Sequence, residues 1–188
     1  MMSNHSKQNL CLSISVTALA LCLSLAVYAQ NRTRRETNVV SVCSIDLKDA
    51  PAIHGLKLGI TVNEFLRVFP SAARTVNRPN AGIIGYAYNT ERDVAIDVAW
   101  FLDGTLVFVG FHYPETYPTN MDTFTKQMAA RFGLPASGWR NVSGVRELKC
   151  KRFTVSIGQP DYPGPGGPPY LQLTDIAGYE KFMARDKM

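Results

Sequence analysis

Residues 93–113 read DVAIDVAWFLDGTLVFVGFHY, in which two runs of apolar and β-branched residues flank Asp103-Gly104. An Asp-Gly pair between two such runs is the strongest short-range signal for a β-hairpin, because a type I′ turn needs positive φ at both central positions. The stretch therefore predicts an antiparallel hairpin with strands over 93–102 and 105–113, and with it an antiparallel sheet.

A two-residue turn also predicts which side chains share a face of the hairpin. Strict alternation places Trp100 and Val98 on the face that packs on the core. It places Phe101, Leu106 and Phe108 on the opposite face, which meets solvent if the sheet is covered on one side only. Exposed apolar patches often mark contact surfaces, so these three residues are a candidate partner surface. The alternative is that the third helix or a loop covers them.

A well-delimited helix precedes the hairpin. Residues 55–70 read GLKLGITVNEFLRVFP, where Thr61 and Glu64 have the spacing of a capping box that satisfies two unpaired backbone N–H groups. Apolar residues then recur at helical spacing until Pro70, which cannot continue a helix. We expect a short helix with one buried face.

A second capped helix follows the hairpin, and a third ends the chain. Thr119 or Asn120 caps the second helix, which stops at Gly133, and Asp175 begins the third. The first two helices close 63 residues apart, at Phe69 and Phe132. This spacing suggests a doubled unit in which a helix is followed by strands.

Further strands are expected between and after these helices. The run over 145–157 is extended, but its apolar residues change phase, which requires a bulge or turn near Lys151-Arg152. Shorter strands are expected over 39–45, 83–88 and 170–173. The fold class predicted from all of these elements is α+β, an antiparallel sheet with amphipathic helices packed on one face.

The N-terminal residues have the three parts of a signal peptide. Lys7 precedes an apolar run over 10–25, and Ala29 provides the small residue that a signal peptidase reads, so cleavage before Gln30 is expected. We therefore divide the chain into a signal peptide over 1–29, a polar, disordered linker over 30–38 and one domain over 39–188. The alternative is an uncleaved anchor, because residues 10–29 are just long enough to span a bilayer.

Charge and length restrict the function classes further. Lys7 is the only Lys, Arg, Asp or Glu of the predicted signal, so the mature chain keeps 19 basic and 15 acidic residues, a net charge of +4. Nucleic-acid binding relies on dense basic patches, which are sparse here, so we expect no nucleic-acid partner. A membrane partner is expected only if the signal is not cleaved.

Two cysteines, Cys43 and Cys150, remain after cleavage. In the oxidising compartment that the signal implies, a single pair of cysteines usually forms a disulfide. Neither cysteine has a histidine in its local sequence to lower its pKa, as a nucleophile would need. We expect a Cys43–Cys150 disulfide in a periplasmic or secreted protein.

No motif for catalysis, cofactor binding or metal binding stands out. The sequence contains no Gly-x-Ser-x-Gly nucleophile elbow and no His-Glu-x-x-His zinc-binding helix. It also contains no glycine-rich phosphate-binding loop and no Cys-x-x-Cys. His54 is expected at the surface. Across the hairpin, His112 lies diagonally opposite Asp97 and Asp93, and a carboxylate can orient a histidine as a general base. We assign no catalytic, cofactor or metal residue, and a small hydrolase using His112 and Asp97 is the alternative.

One stretch resembles a known group of exported domains. Leu58-Gly59-Ile60-Thr61, followed by Glu64, is similar to the L-G-M-T-x-x-E opening of the SmpA/OmlA outer-membrane assembly lipoproteins and of the repeats in the secreted beta-lactamase inhibitor protein. Those domains pack short helices on an antiparallel sheet, and the inhibitor grips a partner with an open sheet face. The resemblance implies a non-enzymatic protein-interaction module. A membrane-anchored envelope accessory protein is a further alternative.

Overall fold

The computed structural model of the protein describes residues 43–187, with the exception of 90–93, 115, 117–119 and 161–166. These residues belong to one compact unit, residues 41–188. The predicted signal peptide and linker, residues 1–38, lie outside the described residues, as does most of the strand expected over 39–45. Residues 43–45 of that expected strand have no strand structure.

The strands form one antiparallel sheet, in the order β1-β2-β3-β4-β8-β7-β6-β5. The hairpin predicted at Asp103-Gly104 is its β3–β4 pair, and both turn residues have positive φ, 51° and 79°. The predicted phase change at Lys151-Arg152 is the turn between β6 and β7. The strands are β1 Ala73–Arg78, β2 Ile83–Tyr88, β3 Ala95–Leu102, β4 Thr105–His112, β5 Arg140–Val142, β6 Val145–Lys149, β7 Phe153–Gly158 and β8 Tyr170–Asp175.

Three α-helices accompany this sheet, and together they confirm the predicted α+β class. They are α1 Val62–Val68, α2 Met121–Arg131 and α3 Ile176–Asp186. The capping box is complete at α1, where the Thr61 and Glu64 side chains each accept from the other's backbone N–H. Asn120 caps α2 by accepting from two backbone N–H groups. Asp175 precedes α3 without capping it through its side chain.

The strand order has an internal symmetry. Helix α1 is followed by the four-stranded meander β1–β4, and α2 is followed by the meander β5–β8. The two meanders join through their last strands, because β4 pairs with β8 and β1 and β5 lie at the two ends of the order. The topology therefore contains the doubled helix-then-strands unit that the helix spacing suggests.

The central hairpin contains two bulges that compensate each other. Phe101 pairs with Leu106 as the turn predicts, but Trp100 pairs with Phe108, so Val107 is an extra residue in β4. Farther from the turn, Val98 pairs with Gly110 and Ile96 with Phe111, so Asp97 is an extra residue in β3. A bulge shifts side chains from one face to the other, and the second bulge restores the predicted register at Ile96.

The burial of these strands overturns the predicted apolar patch. Phe101 and Leu106 are 0% exposed and belong to the main core. Phe108 pairs with Trp100 and stacks on Tyr179 of α3. The prediction that Phe101, Leu106 and Phe108 share one solvent-facing surface is wrong. The face that carries Phe101 and Leu106 packs on the main core, and the extra residue Val107 puts Phe108 on the opposite face, against the third helix.

The helices pack on both faces of the sheet. Phe65 of α1 contacts Phe101, and α2 contributes Phe124 to the same core cluster. Phe182 of α3 instead contacts Trp100, in a second, smaller cluster. Neighbouring residues of a strand point to opposite faces, so the face that Phe101 lies on is the inner face and the one that carries Trp100 is the outer face. The expected packing on one face therefore needs correction for α3.

The predicted disulfide is present between Cys43 and Cys150. Both cysteines are buried in the main core. The backbone N–H of Lys151 also donates to the carbonyl of Ile45, so the segment before α1 is held against the turn between β6 and β7. The bond is consistent with an oxidising compartment, as in extracellular and periplasmic proteins.

Candidate functional site: the open half of the outer face

Among the residues that the structure describes, helix α3 covers one part of the outer face. The side chains under it are apolar, with Ile83, Leu102 and Val107 buried beside Phe182. Its C-terminal end is held by two ion pairs, Arg185–Asp103 at 2.8 Å and Arg78–Asp186 at 2.7 Å. The hydrogen bond from Arg185 holds the pKa of the Asp103 carboxyl below its usual value. The helix is therefore fixed over β2, β3 and the start of β4.

Beyond α3 the outer face carries polar and small side chains, which we call the open face. Its residues alternate along each strand with buried ones such as Val155 and Leu171. Antiparallel pairing brings them into register as a row that crosses the sheet from β5 to β3. That row contains Arg140, Glu147, Ser156, Gln172, Gly110 and Val98.

The row offers hydrogen-bonding groups on rigid strands. Ser156 and Gln172 lie on the central strands β7 and β8 and are half-buried. Within the described part of the chain, neither side chain takes part in a hydrogen bond. Gly110 next to them has no side chain, and a methyl group added at its Cα would lie 3.7 Å from Gln172 Cγ. The row thus runs across about 24 Å of sheet, given strand spacings near 4.8 Å.

The predicted pairing of His112 with Asp97 forms at the border of the open face. His112 Nδ1 lies 3.1 Å from Asp97 Oδ2. His112 pairs with Ala95, two residues from Asp97, which is the extra residue of β3. The Asp97 side chain is 58% exposed and that of His112 is 22% exposed. Asp93, the other predicted neighbour, lies outside the described residues.

The chemistry open to this pair is limited by its surroundings. Within the described residues, the hydrogen bonds of the His112 side chain include no serine, threonine or cysteine. No group of three or more His, Cys, Asp or Glu among the described residues could hold a metal ion. The pair could still orient His112 toward a bound molecule on the open face.

A second histidine lies in a place that the sequence does not indicate. The sequence predicts His54 at the surface, but its side chain is half-buried, and its Nε2 lies 3.1 Å from the Tyr113 hydroxyl. Its ring also contacts the rings of Phe111 and Phe132. These partners lie 57 to 78 residues away in the chain, so no local pattern could have found the cluster.

Comparisons with known proteins give no relative for this chain: no family model, no curated protein and no solved structure matches it. Among the residues that the structure describes, no helix has the length and apolar character needed to cross a membrane.

Proposed function

We propose that this chain is an exported, non-enzymatic interaction module that binds a partner protein through the open face. One observation carries the proposal. Helix α3 covers one part of the outer face with apolar contacts, and the rest of that face presents the polar row over β5–β8 and β4.

The chemistry of the row fits a polar protein interface. Protein interfaces contain about one hydrogen bond per 100–200 Å² and are no more apolar than the rest of a protein surface. Ser156 and Gln172 supply such groups from strands held in the middle of the sheet. Because these strands are already ordered, little conformational entropy is lost when a partner binds.

Two further features support the proposal. The resemblance of Leu58–Glu64 to the inhibitor repeats implies partner binding through an open sheet face, and the doubled unit agrees with a protein built of two such repeats. The Cys43–Cys150 bond and the predicted signal peptide support export.

Site-specific photocrosslinking tests the proposal. A photoreactive residue at Gln172 should give a discrete protein adduct when the chain is expressed in its native cell envelope. The same residue at Lys126, which is exposed on α2, is the matched control and should give none. Adducts at both positions, or at neither, would contradict a specific surface on the open face.

Charge substitutions give an independent measure. Ser156→Arg and Gln172→Arg each place a long cation in the row. Each should abolish the protein adduct formed by a photoreactive residue at another position of the row, and should change the melting temperature by no more than a few degrees. Lys126→Glu should change neither. Retained capture by both row variants would show that the partner binds elsewhere.

A hydrolase is the second candidate, favoured by the 3.1 Å contact between His112 and Asp97. A carboxylate that holds one imidazole nitrogen leaves the other able to act as a base on water. Turnover of a panel of activated esters that disappears in His112→Gln and persists in His54→Asn would support it. Equal turnover by wild type and His112→Gln would exclude it.

A further inference from the structure

His54 is enclosed by elements from both halves of the chain. It occupies a two-residue turn in which Ile53 and Leu56 exchange backbone hydrogen bonds of 2.9 Å. This turn holds His54 at a positive φ of 49°. Tyr113 follows β4, and Phe132 follows α2 of the second unit, and their ring centroids lie 5.8 Å and 5.1 Å from that of His54. The histidine therefore connects the segment before α1 to the end of α2.

The titratable groups that face the ring are Arg131 and Tyr113. From α2, the cation of Arg131 acts on it, and from the end of β4, Tyr113 presents a hydroxyl whose pKa burial raises further above its usual value. Within the described residues, no carboxylate contributes to the surroundings of His54. Burial first, and the Arg131 charge second, lower the pKa of His54 below its usual value.

We propose that His54 is a pH-sensitive latch, which holds the segment before α1 against the end of α2 when the ring is neutral and releases it when the ring gains a proton. In the closed form the ring packs on Phe111 and Phe132 and meets Tyr113. In the open form it is free in water, where an imidazole gains a proton near pH 6.5.

The direction of the response follows from linkage. The open form binds one more proton than the closed form between pH 6.5 and the lower pKa of the closed form. In that range the opening equilibrium rises by up to about tenfold for each unit that pH falls. Below the lower pKa both forms are protonated and the response levels off.

Two measurements on the exported protein test the latch. In NMR titrations, the C2 proton of His54 should have a midpoint below 6.5, with His112→Gln used to assign the resonance. Hydrogen exchange of amides in 53–58 and 132–134 should report an opening constant that rises by up to about fivefold between pH 6.5 and 5.5. In His54→Asn, which tolerates positive φ, that rise should be absent.

Three results would overturn the proposal. The first is a His54 midpoint at or above 6.5 in the protein that keeps His54. The second is an opening constant in the unmutated protein that stays flat below pH 6.5. The third is a rise of the same size in His54→Asn, which would assign the response to other groups.

Discussion

Replacing Phe101 with alanine should cost about 4 kcal/mol of unfolding free energy. The ring is fully buried and makes edge-to-face contacts with Phe65 at 5.4 Å and Tyr86 at 5.8 Å. Core Phe→Ala changes cost about 3–5 kcal/mol, and the loss of two aromatic contacts, each contributing roughly 0.5–1.5 kcal/mol, argues against the low end. For a chain of this size the melting temperature should fall by about 8–16 °C.

Urea denaturation with the disulfide intact measures this loss. Val68→Ala is the matched control, because Val68 is one of the exposed large apolar residues, at 44%, and should change stability by no more than about 0.5 kcal/mol. A loss below about 1 kcal/mol for Phe101→Ala, with an unchanged denaturant slope, would refute the packing described here. It would return Phe101 to the solvent-facing surface that the sequence predicts.

Three further predictions concern the disulfide, the N-terminal cap of α1 and the N-terminus of the mature chain. Cys43→Ala with Cys150→Ala should lower stability by at most about 4.8 kcal/mol, the chain-entropy limit for a sequence separation of 107, and a urea midpoint equal to that of the wild type would contradict it. Thr61→Ala should cost about 1 kcal/mol. Because hydrogen bonds from Thr61 lower the pKa of Glu64, the part of this cost that comes from the ionised carboxylate should shrink as pH falls through that lowered pKa. Intact mass of the exported protein should match a chain that begins at Gln30, whereas full-length chain in the membrane fraction would favour the anchor.

The sequence predicted those elements that are determined by interactions between residues close together in the chain. Asp103-Gly104 determines its own turn, and Thr61 with Glu64 determines the start of α1, because each set of groups satisfies its hydrogen bonds within a few residues. The same reasoning found the change of phase between β6 and β7. These features depend little on the remainder of the chain.

The bulges at Asp97 and Val107 could not be predicted in this way. Each bulge leaves one residue without a partner in the neighbouring strand. The compensation is in side-chain packing, because Phe101 and Ile96 both reach the inner core only when the register shifts between them. Strand β1 was missed for a related reason. It is a polar edge strand, rich in arginine, and its pattern shows no buried face.

The candidate site also contains some contacts that the sequence predicts and others that depend on the whole fold. The contact of His112 with Asp97 joins residues 15 apart in one hairpin, so pairing across a known turn was enough to find it. The row through Ser156 and Gln172 requires the order of strands, and the join between β4 and β8 has no local signal. His54 and Phe132 meet only once both halves have formed.

The pairing of β4 with β8 also determines when, during synthesis, the sheet is protected from aggregation with other chains. Strand β4 contains the apolar run LVFVGF over 106–111, and its second partner begins at Tyr170, 65 residues after Thr105. Until that partner is made and pairs, the first meander ends in an unprotected apolar edge, which is the feature that seeds strand-to-strand aggregation. Chains interrupted before β8 should therefore aggregate through β4, and a peptide copying 170–175 should reduce that aggregation by occupying the edge.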